Sequence, residues 1–221
     1  MARGESGGGW APWVGVLAFS AVVVWFWSSP ALWPVKLCVV LFHELSHAIA
    51  AWATGGTVLH IELNANQGGA TQSAGGWPLV ILNAGYVGSL IWGVALLWMA
   101  KSPDRARWTT TLLGVMLGGV ALWFVRPIAS FGFAFALSSA AALFVLSRLL
   151  PGDILSGLIR ALGLFSVLYA LFDIRDDVFG GAGPTDASML AELTHVPAMA
   201  WGVGWLAASA LLLFVLRRQL F

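Results

Sequence analysis

The chain holds a single cysteine, Cys38, among its 221 residues. One thiol excludes an internal disulfide and a thiolate zinc cluster, and Cys38 reads as a small buried apolar residue. Charge is scarce too. Asp, Glu, Lys and Arg make up 10% of the sequence, against about 25% in a soluble domain, which excludes an ordinary soluble protein. A formal net charge of +1 leaves no basic surplus for nucleic acid. Internal repeats and low-complexity tracts are missing as well.

What is present is apolar. Hydrophobic residues form 59% of the chain, the mean hydropathy is +0.86, and there are 13 Trp and 26 Gly. Trp favours membrane interfaces and Gly favours helix contacts in bilayers. Apolar runs predict about seven membrane helices: Trp10–Trp27, Val35–Ala53, Pro78–Ala100, Trp108–Val125, Ile128–Leu149, Ile154–Phe172 and Val196–Leu216. The first is longer than a signal-peptide core, so it reads as a retained span. Lys101, Arg105, Arg107, Arg148, Arg160 and Arg217-Arg218 fall on one side of a seven-span layout. That places the N-terminus outside and the C-terminus in the cytoplasm.

The expected fold is therefore an all-α polytopic membrane protein, one domain over residues 1–221. Residues 1–9 read as a flexible N-terminus. Residues 54–77 read as a Gly-rich β-hairpin insertion, in which Val58–Leu63 alternates like a strand and Ala70–Ser73 returns after the turn Asn64–Gly69. Residues 173–195 read as a polar loop with a short helix at Thr185–Leu193, capped by Thr185 or Asp186.

One pentapeptide carries chemistry. His43-Glu44-Leu45-Ser46-His47 lies inside the second apolar run, with no other charge after Lys36. A charged residue at a bilayer-spanning helix centre costs roughly 2.5–3.5 kcal/mol, so such residues are usually functional. On a helix, His43 and His47 lie one turn apart on one face and can converge on one metal. Glu44 is rotated by roughly 100° and can reach a metal-bound water without being a ligand. The alternative is a polar cluster that only hydrogen-bonds neighbouring helices.

A catalytic zinc takes three protein ligands and a water. Asp173 follows the sixth apolar run directly, and Asp176 and Asp177 share its face on a continued helix. Asp173 is the deepest of them and the preferred third ligand. Asp176 and Asp177 read as solvated, His60 as a hairpin surface residue, and His195 as a loop residue before Pro197. Gly85, Gly88, Ser89 and Gly93 form a small-residue stripe that predicts close packing against the motif helix. Ser46, Asn64 and Asn83 are candidates to line a water path, and the strand Val58–Leu63 is a candidate to hold substrate by edge pairing.

Several segments together resemble the short bacterial branch of the site-2 protease family. They are Phe42-His43-Glu44-Leu45-Ser46-His47-Ala48, Thr54-Gly55-Gly56, Gly68-Gly69-Ala70-Thr71 and Ala84-Gly85-Tyr86-Val87-Gly88-Ser89. Tyr169–Asp177, Thr185-Asp186-Ala187, Leu190-Ala191 and Trp201 extend the likeness over most of the chain. The resemblance implies a multi-pass zinc metallopeptidase of the bacterial cell membrane, embedded in the lipid bilayer. Such an enzyme cuts a membrane-protein substrate in or near its membrane segment. It also implies Zn2+ on His43, His47 and Asp173, with Glu44 as the base. Two other functions compete. One is a non-proteolytic membrane protein retaining a structural metal site. The other is a metal or proton transporter, for which internal repeats would be expected.

Overall fold

The computed structural model of the chain describes residues 11–179 and 184–220. Trp10 and the expected flexible segment 1–9 lie outside the described residues, as does 180–183 of the polar segment. The elements run α1 (Ala11–Trp25), a single 3-10 turn (Pro30–Leu32), α2 (Trp33–Ala53), β1 (Thr57–Leu63), β2 (Gly69–Ala74), α3 (Pro78–Met99) and α4 (Pro103–Trp123). They continue with α5 (Phe131–Leu149), α6 (Gly152–Phe179), α7 (Asp186–Thr194) and α8 (Ala198–Leu220). Prolines open α3 and α4, and Ser102 and Ser130 cap α4 and α5 through Arg105 N and Phe133 N. A proline in the first turn loses no helical hydrogen bond, and a serine cap satisfies an orphan N–H.

Among the described residues, four helices are long and apolar enough to cross a membrane: Pro30–Ala53, Pro78–Met99, Phe131–Leu149 and Gly152–Arg175. A fifth span results if Asp186–Thr194 and Ala198–Leu212, bent by 118° at their break, are counted as one. The expectation of seven spans is not confirmed. Helices stand at all seven places, but the described part of α1 is short, and α4 opens with Asp104, Arg105 and Arg107 and carries Thr109, Thr110 and Thr111. The expected orientation depended on that count of seven.

α2 is the buried centre of the bundle. Leu37, Val39, Leu41 and Phe42 are fully enclosed, and Leu41, Phe42 and Leu45 join the largest core cluster with residues of α4, α5 and α6. Burial on most sides explains why its sequence is apolar around the whole helix rather than along one stripe. α3 lies between α2 and α6. Its contact with α6 is backbone-close at Gly93 and Gly163: a Cβ on either glycine would meet the other's carbonyl oxygen at 2.9 Å. Ser166 Oγ donates to the Ser89 carbonyl at 2.8 Å in the same seam. The stripe predicted to pack against the motif helix therefore divides. Gly85 and Gly88 face α2, whereas Gly93 faces α6.

The helix end after the motif is closed by Thr54, whose hydroxyl donates to Ala50 O at 2.7 Å, and by Gly55 at φ +82. That left-handed conformation favours glycine. The chain then forms the expected hairpin, with β1 and β2 antiparallel from Thr57↔Ala74 to Leu63↔Gly69 and an irregularity between Val58 and His60. The outer side of β1 is occupied. Ile61 N donates to Phe124 O at 2.8 Å, and Arg126 N donates to Ile61 O at 3.0 Å. Edge pairing with a substrate is thus closed to Ile61, at the middle of the strand expected to provide it. Among the described residues, no other strand pairs with β2.

Candidate active site

The motif occupies the middle of α2, and four other elements bring groups to it. His47 Nδ1 lies 2.7 Å from the Ile81 carbonyl of α3. A carbonyl can only accept, so Nδ1 carries the proton and a neutral ring presents its Nε2 lone pair to the cavity. His43 Nε2 and His47 Nε2 lie 3.2 and 3.1 Å from Oδ2 of Asp186. Each of these three residues offers a ligand atom, all within 4.8 Å of one another.

Asp186 is held there by its own short helix. Thr185 and Ser188 form a reciprocal capping box at the start of α7, which satisfies orphan donors at that end. Ala187 and Leu190 are fully buried and pack with Tyr86, Ile174 and Trp205. This apolar face docks α7 so that its first residue, Asp186, meets the histidines.

Asp173 stands elsewhere. α6 continues past Phe172, as the shared face of Asp173 and Asp177 requires, but Oδ2 of Asp173 lies 3.6 Å from Nδ1 of His43, on the opposite side of the ring from Asp186. His43 Nδ1 is buried without a hydrogen-bond partner. Asp177 accepts a hydrogen bond from the Tyr86 hydroxyl, and the Tyr86 ring stands edge-on to His43, centroids 5.1 Å apart. The structure describes no side-chain placement for Asp176. His60 pairs with Glu62 on β1 at 3.1 Å. His195 is exposed and ends α7 at φ +59. Neither belongs to the cluster.

Glu44 is buried beneath β2. Thr71 Oγ1 lies 2.8 Å from both Glu44 Oε2 and the Glu44 carbonyl, so one hydroxyl proton serves the side chain or the backbone. Two glycines leave the room these groups need. A Cβ on Gly85 would overlap the Nε2 atoms of His43 and His47, and one on Gly69 would overlap the Glu44 carboxylate. The residues expected to line a water path do not meet here. Ser46 donates to Phe42 O, Asn83 binds Leu79 O and Trp205, and both face a separate apolar cavity, while Asn64 is exposed. The cavity at the motif, about 440 Å³, takes its polar lining from Gln67, Thr71 and Thr185 instead.

Among the described residues, that cavity is lined by four carboxylates, Glu44, Asp173, Asp177 and Asp186, and by no lysine or arginine. Glu44 is buried and Asp186 nearly so, and carboxylates so enclosed need a compensating cation. The contact between His47 Nε2 and Asp186 makes the same demand, because a neutral ring there sets a lone pair against a carboxylate oxygen. The observed 3.1 and 3.2 Å separations match the roughly 3.3 Å edge of a tetrahedron with metal–ligand distances near 2.0 Å. The donor set of two imidazoles and a carboxylate therefore fits a divalent metal ion.

An apolar helical bundle that buries two histidines, an aspartate and a glutamate around one polar cavity is a membrane protein with a metallopeptidase-like centre. A family model described as Peptidase M50B-like matches residues 16–216, and the chain belongs to that family. None of the curated proteins and none of the solved structures compared matches it.

Asp186 is the residue that sequence reasoning left out of the site. It read as an ordinary helix cap. The signal available was an acid opening a short helix whose next turn is apolar at Ala187 and Leu190.

Proposed function

We propose that the chain is an intramembrane zinc peptidase that hydrolyses a peptide bond in or near the membrane segment of a membrane-protein substrate. The observation that carries this reading is the meeting of His43, His47 and Asp186 in the cavity that also holds the Glu44 carboxylate. His43, His47 and Asp186 would hold the zinc. The third-ligand role expected of Asp173 thus passes to Asp186, and Asp173 becomes the carboxylate beside His43 Nδ1. Bound zinc would supply a water acidified from about 15.7 towards 7 and a Lewis acid for the scissile carbonyl.

The protein's own groups do the rest. Glu44 accepts the proton of the attacking water and returns it to the leaving amine. Thr71 holds one carboxylate oxygen of Glu44, which leaves Oε1 above the open face of Gly69. Asp173, 3.6 Å from His43 Nδ1, favours by its charge the tautomer with the proton on Nδ1, which presents the Nε2 lone pair. A helical peptide bond is shielded, so the substrate must enter extended. Gly69, Ala70 and Thr71 line the cavity, and β2, unlike β1, is paired on one side only among the described residues. Its free edge can hold an extended segment beside Glu44.

Purified chain in proteoliposomes should cut a single-span substrate. A chelator should abolish cleavage, and stoichiometric zinc should restore it. Cleavage that survives exhaustive chelation would remove the metal from the mechanism. Gly85→Ala is expected to weaken zinc binding by about tenfold or more, because the added methyl takes the place of the two Nε2 atoms. Titration against a chromophoric chelator measures the change, and unaltered affinity would mean that α3 yields at this contact.

A further inference from the structure

Gln67 lies at the tip of the hairpin, two residues before β2 begins. Its backbone stands at φ +71, in the left-handed region that glycine takes freely and a residue with a side chain takes at a cost. The turn holds it there. Asn64 N donates to Gly68 O at 2.8 Å, Gln67 N to Asn64 O at 3.1 Å, and Gly68 N to Asn66 Oδ1 at 3.1 Å. Trp33 Nε1 ties the tip to the start of α2 by donating to the Ala65 carbonyl at 2.8 Å. Backbone outliers of this kind cluster at functional sites, where the side chain is put to use.

Gln67 lines the cavity at the motif and also a second polar cavity, about 580 Å³, that reaches Ser28, Ser29 and Trp33. It is half-buried, and among the described residues its carboxamide has no hydrogen-bond partner. Thr71 and Thr185, which line the motif cavity with it, are spent within the protein. Thr71 Oγ1 donates to Glu44, and Thr185 Oγ1 accepts from Ser188 N. A carboxamide carries two N–H donors and an acceptor oxygen. It is itself an amide, so it can pair with a peptide group by one hydrogen bond in each direction. Its distance from the chemistry is set by Gly69, which lies against Glu44 so closely that a Cβ would overlap the carboxylate. Gln67 is two positions away, at most about 7 Å along an extended chain.

We infer that the Gln67 carboxamide is a substrate-binding clasp that pairs with one main-chain peptide group, one or two residues from the scissile bond. This rests on the peptidase reading above. The ladder between β1 and β2 ends at the pair Leu63↔Gly69, so the clasp extends the hold on an extended substrate past the end of β2. It does so where the two cavities meet. The clasp recognises the amide itself, whatever side chain the substrate carries at that position.

The test uses the full chain in proteoliposomes and a single-span peptide substrate. In a series of peptides, one amide at a time within about three residues of the scissile bond, on either flank, is replaced by an ester. An ester has no N–H and accepts more weakly. At one position the ester should lower kcat/KM of the unmodified chain by about three- to tenfold. Gln67→Gly should lower kcat/KM on the all-amide peptide by a similar factor. It should also cut the amide and ester peptides for that position equally, because the pairwise interaction is already gone. Glycine is at ease at φ +71, so this variant should melt no lower than the unmodified chain and hold the same zinc. Equal cleavage of the all-amide peptide and every ester peptide by the unmodified chain overturns the clasp whether or not the variant folds. An ester penalty that persists undiminished in Gln67→Gly also overturns it, and gives the hydrogen bonds to the backbone of β2. If the unmodified chain does not cut even the all-amide peptide, the peptidase reading falls and the clasp falls with it.

Discussion

Asp186→Ala is expected to leave the purified chain with substoichiometric zinc, whereas Asp173→Asn keeps the metal and weakens its binding by about 10–100-fold. The difference follows from which side of the His43 ring each carboxylate meets. Asp186 lies within 3.2 Å of both Nε2 atoms, so its removal takes away one of the three proposed ligands. Asp173 lies 3.6 Å from Nδ1, so its removal loosens the orientation of one ligand. The helix carrying Asp186 should survive the change. Its capping box belongs to Thr185 and Ser188 and its anchor to Ala187 and Leu190. The lost interaction with the helix N-terminus is worth only about 0.3–1 kcal/mol. Elemental analysis and chelator competition on both variants measure the outcome. Zinc retained by Asp186→Ala and lost from Asp173→Asn would return the ligand role to Asp173.

Glu44→Gln should lower the rate of peptide cleavage by about 10²–10⁴-fold while the zinc content stays at the level of the unmodified chain. Glutamine keeps the shape of the side chain and an oxygen that can accept from Thr71 Oγ1, so the packing under β2 is preserved. What it loses is the ability to take a proton from water. In the proposed reading His43, His47 and Asp186 hold the metal, so binding and catalysis should separate cleanly in this variant. Rates on a single-span substrate, paired with zinc analysis of the same preparation, make the comparison. An active Glu44→Gln protein would assign the base to another group. Zinc loss along with activity would mean that Glu44 is a ligand.

Much of this was legible in the chain because it is local. Apolar runs located the helices, and the alternation of Val58–Leu63 before a Gly-rich turn located the hairpin. The spacing of His43 and His47 placed two nitrogens on one face of α2 by helix geometry alone. What was not legible depended on distant partners. Asp186 is 143 residues from His43, and at the start of a short helix an aspartate is an ordinary capping residue. Asp173 drew the expected ligand role through its place at the end of an apolar run, and α6 places it 3.6 Å from His43 Nδ1, on the far side of the ring from Asp186. The Val58–Leu63 strand promised a free edge that Phe124 and Arg126 take up. The count of seven spans is not confirmed, for a different reason. A hydrophobic run marks a helix, but crossing a bilayer also requires length and low charge, which α4 and the described part of α1 do not combine.

The most direct test of zinc-dependent hydrolysis is mass spectrometry of a single-span substrate cut by the zinc-loaded chain in ¹⁸O-labelled water. Cleavage by a water activated at Glu44 predicts label in the new C-terminal carboxylate, at one bond in or next to the membrane segment. It also predicts no product from the chelated protein or from Glu44→Gln. An intact substrate in the presence of stoichiometric zinc, or unlabelled product, would contradict the account.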